Sequence, residues 1–287
     1  MKKIFLALAT ILASATLSFA QTYNEVADKY EAAGAAIGNE NYEEAIKLLK
    51  ETYAAALTVE EAAEIAASCK ALIPQITFKW AGQAYNAKDW AVAAERLEEV
   101  ISVAGEYENE EYAVKAAELL SDAKYEAAKS LEETDIEAAK EAMKVLVEAG
   151  EARATSRLAF LTSKQATDLQ KEASSLTDAA AKKAAFKQVY ELAQESLGYE
   201  ESAAAYKTMA AAARNIDKWN DAILGYEKYL ELKPDAKDAL NQINNLAMCY
   251  EKVGNKAKAI ACYKKVAAGD NEKLKEKAKK KIEALSK

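Results

Sequence analysis

The chain has 287 residues, 51% hydrophobic and 30% charged, with nine Gly, two Pro and no His. Average usage would supply about fourteen prolines, so the composition argues against a loop-rich all-β domain and for long helices, and the missing histidine removes every Ser–His or Cys–His catalytic pair and every His-ligated metal site. The formal net charge of −7 argues against general nucleic-acid binding, which needs a basic face to displace phosphate counterions.

In chain order, the first element is an address. Met1-Lys2-Lys3 is a short basic start, Ile4 to Leu17 is apolar apart from Thr and Ser, and Ser18-Phe19-Ala20 offers small residues where a signal peptidase reads. This pattern predicts a secretory signal cleaved after Ala20. The apolar run is too short for a permanent anchor, and no Cys near the cleavage point suggests lipidation. No later stretch has the length of an apolar membrane span. The expectation is an exported, periplasmic protein that matures as residues 21–287, without a transmembrane segment.

Period and breakers then predict helices at about 22–37, 41–56, 59–86, 89–104, 108–131, 135–149, 151–173, 178–197, 200–215, 218–232, 236–253, 256–267 and 271–286. Gly38, Gly105, Gly150, Gly198, Gly254 and Gly269 fall near the expected ends, where a left-handed cap needs no Cβ. Pro74 falls inside 59–86, so that stretch is either kinked or two helices meeting there. In the last helix Leu274, Ala278, Ile282 and Leu285 form one apolar stripe at spacings of four, four and three. This predicts an amphipathic cap that covers the preceding helix pair. Charge is segregated: residues 252–287 hold twelve Lys against Asp270, Glu272, Glu276 and Glu283, a net of +8. That end could attract an anionic partner, although a solvated lysine-rich face explains it as well.

The elements repeat. At an offset of 37, Tyr206, Met209 and Ala210 align with Ile243, Leu246 and Ala247. Further along the same alignment, Ala222, Ile223, Tyr226 and Tyr229 meet Ala259, Ile260, Tyr263 and Val266, and Asp217 meets Gly254 at the turn. Small residues at fixed places let two helices approach, with aromatics filling the space around the crossing. At an offset of 48, Asn41-Tyr42, Ala45 and Leu49 recur as Asp89-Trp90, Ala93 and Leu97, and Tyr30, Gly34 and Ile37 as Phe78, Gly82 and Tyr85. A third copy carries Asp135-Ile136, Ala139 and Met143. Such periods mark stacked helix pairs.

With these residues, the stretches "RNIDKWNDAILGYEKYLELKPD", "LAMCYEKVGNKAKAIACYKKV" and "IGNENYEEAIKLLKE" resemble tetratricopeptide repeats. Ala210, Asp217 with Trp219, Ala222, Tyr226 and Pro234 sit at the family's signature positions, as do Ala247, Gly254, Ala259 and Tyr263. The resemblance is clearest at 22–56, 74–104, 203–232 and 240–268 and weak from 107 to 199, where the helices are too long for the family's period. In the family reading Pro74 starts the first helix of the second repeat. The resemblance implies an all-α fold, a right-handed α-α solenoid of helix pairs with a capping helix at 271–286, forming one domain over 21–287. It also implies a partner-binding groove lined by Lys207, Ala211, Arg214, Asn215, Asn244, Asn245, Met248 and Lys252, with Lys275 and Lys279 from the cap. Lys207, Asn245, Lys275 and Lys279 fall on positions of the family's carboxylate clamp. Ala211 replaces an Asn and Lys279 an Arg there, which removes a hydrogen-bond partner and a bidentate fork.

No sequence signature points to catalysis, a cofactor or a metal site: the chain has no Gly-rich phosphate loop, nucleophile elbow or paired-Cys spacing. The pairs Glu43-Glu44, Glu60-Glu61, Glu98-Glu99, Glu110-Glu111 and Glu132-Glu133 diverge by about 100° on a helix and do not converge on a substrate. Trp80, Trp90 and Trp219 could be taken for a sugar-stacking platform, but Trp90 and Trp219 fall at the repeat's turn-side core position and read as core. Cys249 and Cys262 fall on neighbouring antiparallel helices, where either a bridge or two buried free thiols would fit. The reading that follows is a non-enzymatic scaffold of the bacterial envelope that holds a protein or peptide. Recognition of a small ligand or cell-wall glycan, and structural self-assembly as a homo-oligomer, are the alternatives.

Overall fold

The computed structural model describes residues 22–287, so the expected export signal and its cleavage point lie outside the described residues. Among the described residues there are thirteen α-helices and no strand. They are α1 Tyr23–Gly38, α2 Tyr42–Ala56, α3 Ala63–Asn86, α4 Trp90–Glu106, α5 Glu110–Ser130, α6 Ile136–Glu148 and α7 Ala152–Ser175, then α8 Ala179–Tyr199, α9 Ala203–Asn215, α10 Trp219–Leu232, α11 Ala239–Lys252, α12 Lys256–Ala267 and α13 Glu272–Leu285. Single 3-10 turns, Glu60–Ala62 and Leu131–Glu133, precede α3 and α6. Every expected helix is present with ends displaced by four residues at most.

Pro74 does not start a helix, contrary to the family-based expectation. It lies buried inside an unbroken α3. The ring removes one backbone hydrogen bond, but Ile73 and Ile76 beside it are 0% and 2% exposed, and that burial holds the helix together across the defect.

The turns between paired helices share one backbone device. Glu40, Lys88, Glu108 and Asp217 have φ of 58°, 59°, 56° and 63°, and Gly150 and Gly254 have φ of 87° and 76°. The amide after each reaches the carbonyl five residues earlier: Asn41 to Ala36 and Asp89 to Ala84 at 3.0 Å, Asn109 to Ala104 and Lys218 to Ala213 at 2.8 Å, Glu151 to Leu146 and Asn255 to Tyr250 at 2.9 Å. This 6→1 closure satisfies the orphan carbonyl at a helix end and requires one left-handed residue. Gly38, Gly105, Gly198 and Gly269, expected in that role, do not take it. Beyond Gly38 and Gly105 the charged Glu40 and Glu108 take it instead, because at an exposed turn the left-handed cost of about 1–2 kcal/mol is tolerated, whereas the helix ends at Gly198 and Gly269 carry no left-handed residue. Glu40→Gly and Lys88→Gly, neither of which breaks a side-chain contact, should each raise stability by about 0.5–1 kcal/mol once glycine's own entropy is counted. Thermal melts of both variants falling below the parent would refute the strain.

The helices gather into two compact units, Met1–Ala127 (described from Thr22) and Ala128–Lys287. Successive helices pack against one another from α1 to α4 and from α6 to α13. Ala116 and Ala123 of α5 share a buried cluster with Leu97 and Val100 of α4. Alternate helices also touch, α1 on α3 in the first unit, α7 on α9 and α11 on α13 in the second. That is the contact pattern of an α-α solenoid. The two repeat alignments hold in the packing. Ala45, Leu49, Ala93 and Leu97 are all 0% exposed, as are Ala210, Ala222, Ala247 and Ala259. Tyr226 and Tyr263 are 0% and 1% exposed.

Close approach of α9 and α10 rests on Gly225 as much as on the alanines. A Cβ there would lie 2.8 Å from both the Ala210 Cβ and the Tyr206 carbonyl oxygen. Gly225→Ala must therefore push a helix backbone away, and a net loss of about 1–2 kcal/mol is expected after the helix-propensity gain. A urea midpoint equal to or above the parent's would show that the crossing can relax.

The cap forms as the stripe predicts. Ala278 is fully buried, and Leu274, Ile282 and Leu285 pack partly buried against the second unit's core. Asn271 caps its N-terminus through the Leu274 amide at 3.1 Å. No helix among the described residues is long and apolar enough to cross a membrane.

Candidate functional site

The residues expected to line a groove sit on α9, α11 and α13 of the second unit, which are held rigidly by the alanine–tyrosine core. Their side chains are engaged with one another or with neighbours. Arg214 donates to the Asn245 Oδ1 at 2.6 Å, joining α9 to α11, and Asn245 donates in turn to Gln242 at 3.1 Å. Asn215 bonds the Ala211 carbonyl at 2.8 Å, and the Asn244 amide lies 3.8 Å from the Met248 sulfur. The Lys252 ammonium stands 5.7 Å above the Trp219 ring. Lys275 and Lys279 pair with glutamates of their own helix, Glu272 at 3.0 Å and Glu276 at 2.8 Å.

Lys207 goes elsewhere. Its ammonium is 3.2 Å from Asp238 and 5.3 Å from the Tyr229 ring centroid. The row offers exposed Asn215, Met248, Lys252 and Lys279 beside half-buried Arg214, Asn244, Asn245 and Lys275.

Asp238 was not foreseen as a centre. It precedes α11 where an N-cap acid is expected, yet its side chain makes no capping bond. Instead it accepts from the Tyr229 hydroxyl, from Lys207 and, at 2.9 Å, from Gln242. Burial alone would raise its pKa, but these donors outweigh burial and hold it below the usual carboxylate range. The same chemistry recurs through the second unit. Tyr190 donates to Asp221 and Tyr206 to Glu201, both at 2.7 Å, Tyr263 donates to Glu251 at 3.0 Å, and Tyr250 to Glu227.

These pairs make a pH prediction. Tyr190 and Tyr229 are pushed up to about 12 by burial and their carboxylate partners, Tyr206 to about 12 by Glu201 and then burial, all from an ordinary 10. A raised folded pKa means the stabilisation is complete below pH 10 and is lost as pH climbs from 10 toward 12. For Asp238 and Glu251 burial raises the pKa but is outweighed by their hydrogen bonds, so both end lowered from 3.8 and 4.5, and their contribution is kept above those values and lost as pH falls below them. Ultraviolet titration should show a late tyrosine class that ionises together with loss of helical circular dichroism. All fifteen tyrosines titrating near 10 with helicity intact would contradict the bonding.

The glutamate pairs are largely exposed, and Glu132 is held by Arg157. Cys69, Cys249 and Cys262 are free thiols, and burial pushes Cys69 and Cys249 up to about 11, keeping them protonated and weakly nucleophilic. Among the described residues no group of three His, Cys, Asp or Glu side chains could hold a metal ion. The three tryptophans are half-buried rather than fully enclosed: the Arg96 guanidinium lies 4.1 Å over Trp80, Tyr85 packs edge-on at 5.3 Å from Trp90, and Trp219 carries Lys252.

No protein-family model matches the chain, and no curated protein sequence does. Solved structures with similar helix order include TTC0263, a tetratricopeptide-repeat protein of Thermus thermophilus, at 16% identity over 73% of this chain and 98% of that one, with a TM-score of 0.32. The TPR2AB domain of yeast Sti1 in complex with pHSP90 matches at 14% identity over 92% of this chain and 99% of that one, TM-score 0.36. PilW, a type IV pilus biogenesis factor, matches at 11% identity over 93% and 100%, TM-score 0.31. The α-α solenoid rests on the helix pairing itself.

Proposed function

We propose that this protein is a non-enzymatic interaction scaffold, exported to the bacterial periplasm, that holds a protein or peptide along the α9–α11–α13 row. The observation that carries the reading is the contrast between a locked core and an adaptable row. Ala210, Tyr226, Ala247 and Tyr263 are 0–1% exposed beneath it, while Met248 is 42% exposed with Asn215, Lys252 and Lys279 also open to solvent. Rigid helices that present a flexible thioether among amides and ammonium groups suit recognition of an extended chain. Export rests on the basic-apolar-small pattern of residues 1–20.

A photoreactive residue in place of Met248 should crosslink one dominant envelope protein in intact cells. The same group in place of Leu224, 51% exposed on α10, is the control for nonspecific capture. Equal yields at the two positions, or a product with the mass of two copies of this chain, would overturn the reading. N-terminal sequencing of the cell-derived protein tests export, with Gln21 expected first and retention of Met1 in a cytoplasmic fraction refuting it.

A further inference from the structure

A recess of about 560 Å³ opens between α7, α9 and the end of α10, within the volume range of small-molecule sites. Three ammonium groups border it, Lys171, Lys207 and Lys233. Lys171 is paired with Asp168 at 2.8 Å and Lys207 with Asp238, whereas Lys233 forms no ion pair among the described residues. Its wall is apolar, from the Tyr229 ring and the methyl groups of Ala203, Ala204 and Ala236.

One further feature favours an anion. Ala203 and Ala204 open α9, so their backbone N–H groups have no acceptor within the helix. The Ser202 hydroxyl takes only the Ala205 amide, at 3.2 Å. The positive end of the helix dipole thus meets the recess beside the lysines. Thr167 and Thr208 also line the recess, with their hydroxyl oxygens 3.3 Å apart. Thr167 gives its proton to the Ser163 carbonyl at 2.9 Å, so Thr208 is the donor of the pair and its proton is held by Thr167 rather than offered to a ligand.

We propose that this recess binds a small amphiphilic carboxylate, with its apolar body against Tyr229 and the alanine methyls and its charge received by Lys233, Lys171, Lys207 and the α9 N-terminus. The recess has lysines and no arginine, so it offers point charges rather than a bidentate fork. That chemistry suits a single carboxylate on a hydrocarbon better than a bare inorganic anion. The site goes beyond the scaffold reading and does not depend on it.

Octanoate is the probe, with acetate (charge without tail), octanol (tail without charge) and octylammonium (opposite charge) as comparators. Isothermal titration of the full-length protein should show saturable octanoate binding at least about tenfold tighter than any comparator. Lys233→Gln and Lys171→Gln, both at exposed positions, should weaken octanoate by about tenfold together and leave the melting temperature unchanged. Ala204→Trp should fill the mouth and abolish binding, with circular dichroism confirming an intact fold. No saturable octanoate binding, acetate binding as tightly as octanoate, or undiminished affinity in the lysine variants or in Ala204→Trp would each overturn the site.

Discussion

Tyr226→Ala should destabilise the second unit by about 3–5 kcal/mol, the loss typical of emptying a large aromatic site in a packed core. Tyr226 is 0% exposed, and it sits in one cluster with Met209, Ala210, Ala222 and Cys249. The more discriminating variant is Tyr226→Phe. The Tyr226 hydroxyl is buried with no hydrogen-bond partner among the described residues, and burial pushes its pKa up to about 12 despite the nearby Arg214. A buried hydroxyl without a partner costs free energy that a phenyl ring avoids, so Tyr226→Phe should match the parent or exceed it by about 1 kcal/mol. The equivalent tyrosine one repeat later behaves oppositely. Tyr263 donates to Glu251, which Lys281 also holds at 2.8 Å, and Tyr263→Phe should lose about 1–2 kcal/mol. Urea unfolding followed by circular dichroism separates the cases. A Tyr226→Phe variant weaker than Tyr263→Phe would mean that the orphan hydroxyl has a partner in solution.

That pair of tyrosines also shows how far a repeat alignment reaches. The offset of 37 places Tyr226 on Tyr263 and correctly puts both in the core, because burial follows helix period and both helices use the same face. It places Asp217 on Gly254, and both take the left-handed turn conformation, as do Glu40 and Lys88 at the offset of 48. Hydroxyl partners do not follow the repeat, since Glu251 lies at the end of α11 and no acid stands at the matching end of α9. Glycine was the misleading signal. Four helix ends marked by Gly38, Gly105, Gly198 and Gly269 use no left-handed glycine, whereas Gly225, unremarked in the middle of α10, sets an interhelix approach that a single methyl would violate. Glycine composition reveals neither, because the conformation at a turn and the distance across a crossing are tertiary facts.

The groove residues divide along the same line. Family position puts Arg214 and Asn245 on adjacent helices, and they bond. The same logic assigns Lys207 to an anion clamp. That assignment leaves out Asp238, in the loop between α10 and α11, which pairs with the Lys207 ammonium beside Tyr229. A loop acid competing for a long, flexible side chain leaves no periodic trace. Its only signal was position, an Asp just before a helix, and that position points to capping rather than to a lysine two helices upstream.

Deleting residues 270–287 removes α13 and should cost the second unit about 4 kcal/mol, with self-association as the visible consequence. Ala278 is fully buried, Leu274, Ile282 and Leu285 are partly so, and the helix covers α12 and touches α11. Without it, the faces of Ala259, Tyr263 and Val266 turned toward the cap meet water, and Glu251 loses the Lys281 ion pair while keeping the Tyr263 hydroxyl. Apolar faces at the end of a helix stack are where such proteins join to one another. Sedimentation at several concentrations should show a monomeric parent fraction giving way to larger species in the truncated chain. A full-length Leu274→Glu/Ile282→Glu variant should reproduce both the lowered midpoint and the association, because it undocks the helix while keeping the lysines. If that variant melts and sediments like the parent, the stripe does not hold the cap. If the truncated chain alone aggregates, charge and not cover is what the last helix supplies, since only the truncation removes its lysines.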